Sequence, residues 1–334
     1  MKRSTISDVA RIANVSVSTV SHVANRTRHV ESETEKRVLL AIAELNYVPN
    51  SIAQALKSAR TKTIGMVVAS STNPFFAQVI HGVGEECTRL GFSLILANCG
   101  DKRSLLTAHV RTLLAKRIDG LLVMTTNSSQ EFFEHLPAIN NMPVVAIDTI
   151  QNQRLCTVND DSFYGGSLVG QFLAGKSLRN VVCIAGPIGH PSSDLRLNGF
   201  MHGLNGTASP TSSVKVFHGG DLGLHDGFVL LAQILAAGPP PDAVFAVNDL
   251  MAIGAISALQ QAGLRVPNDV QIVGYDDIEF SAYVNPPLTT VRQQAEQLGK
   301  VSAELIINNL GVVLSPEKSI TLTPELILRN SSRI

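Results

Sequence analysis

The amino-acid sequence predicts an α/β protein in which a small all-α helix-turn-helix head precedes a body of two lobes built on parallel sheets. Three observations carry this prediction. Residues 5–25 place apolar side chains at helical spacing on both sides of a short break, which is typical of two short helices. From residue 62 onward, apolar runs of strand length alternate with helical stretches, as in a parallel sheet covered by helices. The alternation restarts near residue 156, which predicts a second lobe similar to the first.

The first element is the helix pair within residues 5–25. Its first helix has one apolar face, formed by Ile6, Val9, Ala10 and Ala13. The hydroxyl of Ser16 can accept a hydrogen bond from a backbone N–H one turn later, so Ser16 is expected to cap the second helix. That helix turns Val20 and Val23 inward, and its outer face is formed by Val17, Ser18, Ser21 and His22. A helix-turn-helix places its second helix in the major groove of DNA, although on this stretch alone a plain helical hairpin is the alternative.

A third helix is expected near Ser32, because Ser32 and Glu35 match a capping box. Its apolar face is predicted to be formed by Val38, Leu39, Ile42, Ala43 and Leu45. Residues 50–58 then favour a helix of only about two turns, which is not stable alone in water. This segment is either a linker or a helix that forms only against a partner.

The charge of the chain is unevenly distributed. Residues 1–60 contain nine Lys and Arg against five Asp and Glu, a net charge of +4, while the whole chain is neutral. A basic head suits a polyanion such as DNA. The four cysteines form no C-x-x-C pair, so buried reduced thiols are expected. The sequence shows no secretory signal and no apolar run that could span a membrane, and we expect a cytoplasmic protein.

The strands of the body are continuous runs of Val, Ile and Leu, which predicts burial on both faces. The first series is expected at residues 63–70, 92–99, 120–125 and 143–148. The second series is expected at residues 156–160, 180–186, 214–219, 243–249 and 270–277. The tail is expected to hold a strand at 288–294, a helix to residue 309 and a strand at 319–328.

Open parallel sheets bind ligands beyond the carboxyl ends of their strands. The polar residues expected there are residues 71–76, Asp148, Asp160, the loop 187–196, Asn248 and Asp276. Carboxylates, amides and a guanidinium suit a molecule with many hydroxyl groups, and Phe75 and Phe76 offer flat faces to a sugar ring or a base. As an alternative, an Asp or Asn that follows a strand can simply cap the next helix.

Motifs of common enzyme classes give no support for catalysis. The sequence contains neither the G-x-S-x-G elbow of hydrolases nor the H-E-x-x-H pattern of metalloproteases. The sequence therefore predicts no enzyme, no bound metal and no cofactor.

Longer motifs occur along nearly the whole chain. The head carries DVARIANVSVSTVSHVAN at residues 8–25 and ELNYVPN at 44–50. The body carries TNPFF (72–76), KRIDGLLV (116–123), RLNGF (196–200), VNDLMAIGA (247–255), VPNDVQIVGYDD (266–277) and PPLTTVRQ (286–293). With these motifs the chain resembles the lac repressor family of bacterial transcription regulators. It is most similar to the members that respond to ribose and to purines.

The resemblance implies a helix-turn-helix domain at residues 1–49, a hinge helix and linker at 50–61, and an effector-binding domain at 62–334. The effector domain would consist of two lobes similar to periplasmic sugar-binding proteins. The first lobe would comprise about 62–160 and 292–320, and the second about 161–290 and 321–334. The implied assembly is a homodimer, and the implied partners are double-stranded operator DNA and a small effector.

The resemblance also implies roles for residues of the head. Val17, Ser18 and His22 fall on positions that contact base edges. Phosphate contacts are implied for Ser7, Ser16, Thr19, Ser21, Asn25 and His29. Leu56 matches the hinge residue that is wedged between base pairs in the minor groove, although Gln54-Ala55 stands where relatives often carry Arg-Ser.

In the body, the ribose-contacting positions of the family fall on Asn73, Phe75, Phe76, Asp148, Arg196, Asn248, Asp276 and Gln293. Two positions depart from the pattern, since Thr149 replaces an arginine of the periplasmic proteins and Leu222 replaces an aromatic residue. The purine determinants fall on His190 and Ser192 rather than on Arg and Thr. This favours a pentose, ribose first, over a purine-type corepressor.

The resemblance implies that the ligand binds between the lobes, alters the pairing of the hinge helices and so changes the affinity for the operator. The alternative from a different class of protein is a sugar-binding protein without a role on DNA.

Overall fold

The computed structural model describes residues 4–25, 28–47, 60–125, 142–149, 155–174, 176, 178–206 and 213–333. The chain divides into two compact units, residues 1–61 and 62–334. The hinge segment 50–58, with Leu56, lies outside the described residues.

The described residues of the first unit form three helices, α1 (Ile6–Ala13), α2 (Val17–Asn25) and α3 (Ser32–Glu44). Thr5 and Asp8 form a capping box at the start of α1, because each side chain accepts a hydrogen bond from the backbone N–H of the other. Asn14 ends α1 in the left-handed conformation, at φ 52°. Ser16 Oγ accepts from the N–H of Thr19 at 3.1 Å, which confirms the predicted cap of α2.

For α3, the predicted capping box is wrong, and the predicted apolar face is right only in part. The helix begins at Ser32 and its preceding residue is Glu31, which makes no capping bond; Ser32 is already helical, so its hydroxyl does not occupy the capping position. Of the predicted apolar face, Val38 is buried and Ile42 and Leu45 pack against the same core, whereas Leu39 is half exposed and Ala43 is exposed. Each residue turns the helix by about 100°, so a face that contains Val38 and Ala41 leaves Leu39 outside it.

The second unit alternates strands and helices. Its strands are β1 (Thr63–Val68), β2 (Ser93–Asn98), β3 (Gly120–Met124), β4 (Val144–Ile147), β5 (Cys156–Asp160), β6 (Asn180–Ala185), β7 (Ser213–His218), β8 (Ala243–Ala246), β9 (Gln271–Asp276), β10 (Thr289–Arg292), β11 (Ile320–Leu322) and β12 (Glu325–Ile327). The α-helices in its described part are α4 (Pro74–Arg89), α5 (Arg103–Ala115), α6 (Ser162–Ala174), α7 (Pro191–Asn205), α8 (Leu224–Ala237), α9 (Asp249–Gln261) and α10 (Ala295–Ile307).

The strands form two six-stranded sheets, one in each lobe. The first sheet has the order β2-β1-β3-β4-β5-β11 and the second β7-β6-β8-β9-β10-β12. Every pairing is parallel except that of β12 with β10. The predicted two-lobed α/β fold is thus present. The central strands are buried, while the edge strands β2 and β7 are partly exposed, because an edge strand lacks a neighbour on one side.

The chain passes between the lobes three times: after β5, after β10 and between β11 and β12. The single strand predicted at 319–328 is two short strands in different sheets. Pro324 lies between them and has no N–H for a strand ladder, which explains the break. The third passage therefore lies between Leu322 and Glu325.

Helix α10 returns to the first lobe and packs against α4. A Cβ atom on Gly82 would lie 2.1 Å from the carbonyl oxygen of Glu296, and one on Gly299 would lie 2.1 Å from that of Val79. The two glycines thus permit the backbones of the two helices to touch. Leu298, Ala303 and Ile306 of α10 belong to the first lobe's core.

All four cysteines are free and buried, as predicted. Among the described residues, no helix is long and apolar enough to cross a membrane. No group of three or more His, Cys, Asp and Glu side chains in the described part of the chain is arranged to hold a metal ion.

Candidate ligand cleft and nucleic-acid interface

The candidate ligand site lies where the strands of the two lobes end. Asp148 follows β4, Asp160 ends β5 and Asp276 ends β9. Asp148 and Asp276 have positive φ angles, 50° and 117°, a conformation that side-chain-bearing residues adopt at a cost of about 1–3 kcal/mol. Strained positions of this kind occur at functional sites, although other loop residues of the chain, such as Asp101 and Asp277, also have positive φ angles.

Arg196, from α7, is the central cation of the site and is 5% exposed. Its Nη1 donates to the carbonyl oxygen of Val247 at 2.8 Å and to Asp276 Oδ1 at 3.1 Å. Its guanidinium carbon lies 4.0 Å from the centre of the Tyr275 ring. Nε of Arg196 has no hydrogen-bond partner among the described residues, so one strong donor is left for a ligand.

Asp276 and Gln293 add further polar atoms to the site. Gln293 Nε2 donates to Asp276 Oδ1 at 2.7 Å, and Gln293 Oε1 has no partner within the described ranges. Burial raises the pKa of Asp276 to about 7, against the attraction of Arg196. A buried amide oxygen without a partner is costly, and a hydroxyl group of a ligand would supply the missing donor.

Two hydrogen bonds join the lobes across the cleft. Tyr275 donates from its hydroxyl to Asp160 Oδ2 at 2.7 Å, and Ser192 Oγ donates to Asp148 Oδ1 at 3.1 Å. The other oxygen of Asp160 has no partner among the residues described. Burial raises the pKa of Asp160 to about 7, although the bond from Tyr275 opposes this shift. Of the three aspartates, only Asp276 is hydrogen-bonded to Arg196, while Asp148 and Asp160 lie close enough to attract its charge.

Three predicted ligand residues cap helices. Asn73 Oδ1 accepts from the N–H of Phe75 at 3.0 Å, and Asn248 Oδ1 accepts from that of Met251 at 2.8 Å. Nδ1 of His190 is 3.5 Å from the backbone nitrogen of Ser193, and burial lowers the pKa of His190, which favours the neutral ring. The side-chain oxygens of Asn73 and Asn248 therefore cap helices, which is the alternative to ligand binding given above for polar residues that follow a strand.

The apolar candidates differ in their access to the cleft. Phe75 is 3% exposed and belongs to the core of the first lobe, so the prediction that it offers a flat face to a ligand is wrong: the first turn of α4 points its ring into the core. Phe76 is half-buried and meets Phe75 edge to face, with ring centres 5.9 Å apart. Leu222 is half-buried against the core of the second lobe.

Sequence reasoning missed Asp249 and Tyr275. Asp249 is fully buried and accepts from the N–H of Ile278 at 3.0 Å, from Ser281 Oγ at 2.6 Å and from Thr290 Oγ1 at 2.5 Å. Burial raises its pKa to about 8. It fixes the loop that follows Asp276, and its position directly after Asn248 in the motif at 247–255 was the available signal.

One sequence pattern is not a site. Residues 170–177, GQFLAGKS, match the G-x-x-x-x-G-K-S spacing of a phosphate-binding loop. Such a loop lies between a strand and the start of a helix, but residues 170–174 are the end of α6. The backbone amides of residues 170–174 belong to this helix and cannot surround a phosphate.

Two cavities flank the cluster around Arg196. One has a volume of about 750 Å³ and is lined by Gln293 and by residues of α4 and α10. The other has a volume of about 390 Å³ and reaches from Asp148 and Ser192 to Phe163. Both lie within the size range of small-molecule sites.

In the first unit, the outer face of α2 carries small polar side chains. Val17 is 44% exposed, and Ser18 is also exposed. Ser16 Oγ lies 2.7 Å from Ser18 Oγ and 2.8 Å from Thr19 Oγ1. Small side chains at the start of this face allow the helix to approach a groove of DNA closely.

The other predicted DNA contacts lie around this face. Ser7 and His29 are exposed, whereas Ser21, His22 and Asn25 are half-buried. Asn25 Nδ2 donates to Ser21 Oγ at 3.2 Å. His22 and His29 line a small cavity of about 180 Å³ together with Arg28.

Two family models match the chain. The model described as bacterial regulatory proteins, lacI family, matches residues 5–50. The model described as periplasmic binding proteins and sugar binding domain of LacI family matches residues 61–322.

Among curated relatives, the HTH-type transcriptional repressor PurR of Pasteurella multocida (strain Pm70) is 40% identical over 328 residues, which is 98% of this chain and 98% of that protein. The ribose operon repressor of Escherichia coli (strain K12) is 37% identical over 333 residues, which is 98% of this chain and 99% of that protein.

Solved structures show the same similarity. The lac repressor dimer bound to operator and the anti-inducer ONPF has a TM-score of 0.87 at 30% identity and covers 99% of both chains. A LacI family transcriptional regulator from Enterococcus faecium with bound ribose has a TM-score of 0.71 at 26% identity and covers 81% of this chain and 98% of that one.

Proposed function

This chain belongs to the lacI family of bacterial regulatory proteins and is a DNA-binding transcriptional repressor, not an enzyme, and we propose that a pentose, ribose first, controls it. The pentose binds between the two lobes of the unit formed by residues 62–334. The observation that carries this proposal is the set of buried, unpartnered polar atoms around Arg196: Arg196 Nε, Gln293 Oε1 and Asp160 Oδ1.

The chemistry of these atoms suits a neutral polyol. A hydroxyl group donates one hydrogen bond and accepts others, so neighbouring hydroxyls can accept from Arg196 and donate to Asp160 and Gln293. Three carboxyl groups near one guanidinium leave no excess positive charge for an anionic ligand such as a phosphate. The ribose operon repressor of E. coli among the relatives supports ribose as the first candidate.

For the operator, we assign base contacts to Val17, Ser18 and His22. His22 can donate to a guanine, and Val17 can contact a thymine methyl group. The exposed Ser7, Ser16 and His29, together with Thr19, Ser21 and Asn25, are assigned to phosphates, which position the head without selecting a sequence.

The repressor acts as a homodimer in this proposal, by analogy with the lac repressor dimer on its operator. Each subunit contributes one hinge segment, residues 50–58, and Leu56 enters the minor groove. A pentose replaces the hydrogen bond from Ser192 to Asp148 with contacts of its own and so changes how the lobes are joined. The lobes then hold the two hinge segments either together or apart, and the affinity for the operator changes accordingly. The ligand has this effect because it binds one of the two arrangements of the lobes more tightly than the other.

A binding experiment tests the proposal. Operators are first selected from random duplexes, and their affinity is then measured by fluorescence anisotropy with and without ribose. Ribose should change the affinity by at least about tenfold, a coupling of about 1.4 kcal/mol, while its epimer arabinose should act more weakly. An operator affinity that does not respond to ribose would contradict the proposed ligand.

A purine corepressor is the second candidate, because the PurR protein of P. multocida is 40% identical to this chain. His190 and Ser192 would then face the base. Hypoxanthine and guanine in the same assay separate the two candidates, since only one ligand class should change operator affinity.

A further inference from the structure

The amino ends of the strands in the first lobe form one edge of its sheet, opposite the edge that carries the ligand residues. β1 pairs in parallel with both β2 and β3. The N–H of Ser93 donates to the carbonyl oxygen of Lys62 at 2.9 Å, and the N–H of Asp119 donates to that of Thr63 at 2.8 Å. The segment that enters β1 and the segment 116–119 that follows α5 are therefore neighbours at this edge.

This edge is positively charged. Its surface, here called the amino-end face, carries four exposed cationic side chains: Arg60, Lys62, Lys116 and Arg117. The carboxylate within the same two segments is that of Asp119, which accepts from the N–H of Thr63 at 3.3 Å. Among the described residues, Lys62 and Lys116 form no ion pair. A group of exposed cations with little opposing charge attracts a polyanion.

The chain itself keeps this face close to the operator. The family model of the DNA-binding domain ends at residue 50, and β1 begins at Thr63. The six residues from Leu56 to Lys62 span at most about 20 Å, because an extended chain advances by about 3.3–3.6 Å per residue. With Leu56 in the minor groove, as proposed above, the phosphates that border this groove are the nearest polyanion to Lys62.

We propose that the amino-end face of the first lobe is a second DNA-binding surface, which contacts the phosphates that border the minor groove at the centre of the operator. The inference rests on the proposed entry of the hinge segments into that groove. Contacts of Lys and Arg with phosphates strengthen binding but carry no sequence information directly. The head thus selects the operator, and the first lobe also holds the DNA directly.

Fluorescence anisotropy of the full chain on a selected operator, measured at several KCl concentrations, tests this surface. Lys62→Gln/Lys116→Gln removes two cations from each subunit of the dimer. Each phosphate contact on B-DNA contributes about 0.9 to the slope of log K against log salt concentration, so the slope should fall by about 1.8 for one lost contact per subunit and about 3.6 for two. The affinity at about 0.15 M salt should fall by at least about tenfold. The base preference in a selection from random duplexes should not change.

Three further variants serve as controls. Arg179→Gln/Lys215→Gln removes the same charge from exposed side chains near the amino ends of β6 and β7 in the second lobe, and it should leave the slope unchanged. Lys62→Arg/Lys116→Arg keeps both charges and should keep the slope of the parent protein. Lys116→Gln alone should show about half of the change. Thermal melting followed by circular dichroism checks that each variant folds.

The outcomes separate this inference from the proposed function. If the parent protein binds the operator and Lys62→Gln/Lys116→Gln has the same slope and affinity, the surface is refuted, the proposed function stands, and an acidic protein segment is the alternative partner of this face. An equal loss in Arg179→Gln/Lys215→Gln would also refute the surface, because overall charge would then explain the effect. If the parent protein selects no operator, the proposed function and this inference both fail.

Discussion

Replacing Asp160 by Asn should stabilise the repressor at alkaline pH and leave its stability unchanged at acid pH. The side chain is buried, and its pKa is raised from 3.8 to about 7. The folded protein therefore retains a proton that the unfolded chain has lost between about pH 4 and pH 7. Stability must fall as the pH rises through this window, because the folded state then has to bury a charge.

The magnitude follows from the size of the shift. One pKa unit corresponds to about 1.36 kcal/mol, so a shift from 3.8 to about 7 places an upper limit of about 4 kcal/mol on the destabilisation above pH 7. Asp160→Asn removes this charge but keeps an oxygen that accepts from Tyr275. The gain should approach this limit at pH 8 and vanish near pH 4.

Urea unfolding followed by circular dichroism at pH 4.5 and pH 8 measures the difference. Asp269→Asn is the matched control, since Asp269 is exposed, is paired with Arg265 and has its pKa lowered to about 2; it should lose stability at pH 8 instead of gaining it. A variant Asp160→Asn that is no more stable than the parent protein at pH 8 would refute the assignment of a desolvated carboxylate.

Four further outcomes are expected. Ser16→Ala should lower the stability of the first unit by about 1 kcal/mol, the usual contribution of a helix cap. Thermal melting measures this change, and an unchanged melting midpoint would show that Ser16 does not cap α2. His22→Ala should relax base preference at one position of each half-site in a selection from random duplexes, and an unaltered selection would exclude His22 from base contact. Arg196→Lys should weaken ribose binding by at least about tenfold, measured by titration, and equal affinity would contradict the role of the planar guanidinium. Leu56→Ala should weaken specific but not random DNA binding in a gel-shift comparison, and an equal loss on both DNAs would argue against a wedge.

The sheets could be predicted from the sequence because a strand buried on both faces has to be apolar throughout, as in β3 and β4. The site could be located in part, since carboxyl ends of parallel strands converge and Asp148, Asp160 and Asp276 stand there. Contacts between distant residues could not be predicted: Tyr275 and Asp160 are 115 positions apart. The rotation of α4 that buries Phe75 depends on packing, which periodicity does not specify.

The return of α10 to the first lobe has a consequence for synthesis of the chain. A ribosome releases β1 to β5 early, but the helix that completes their core, with Leu298 and Ile306, follows only after most of the second lobe. The first lobe therefore emerges with the apolar surface beneath α10 uncovered, while the second lobe has most of its strands before residue 293. During translation, the lobe made first is finished later, and a chain truncated before residue 295 would lose the covering of the first lobe's core.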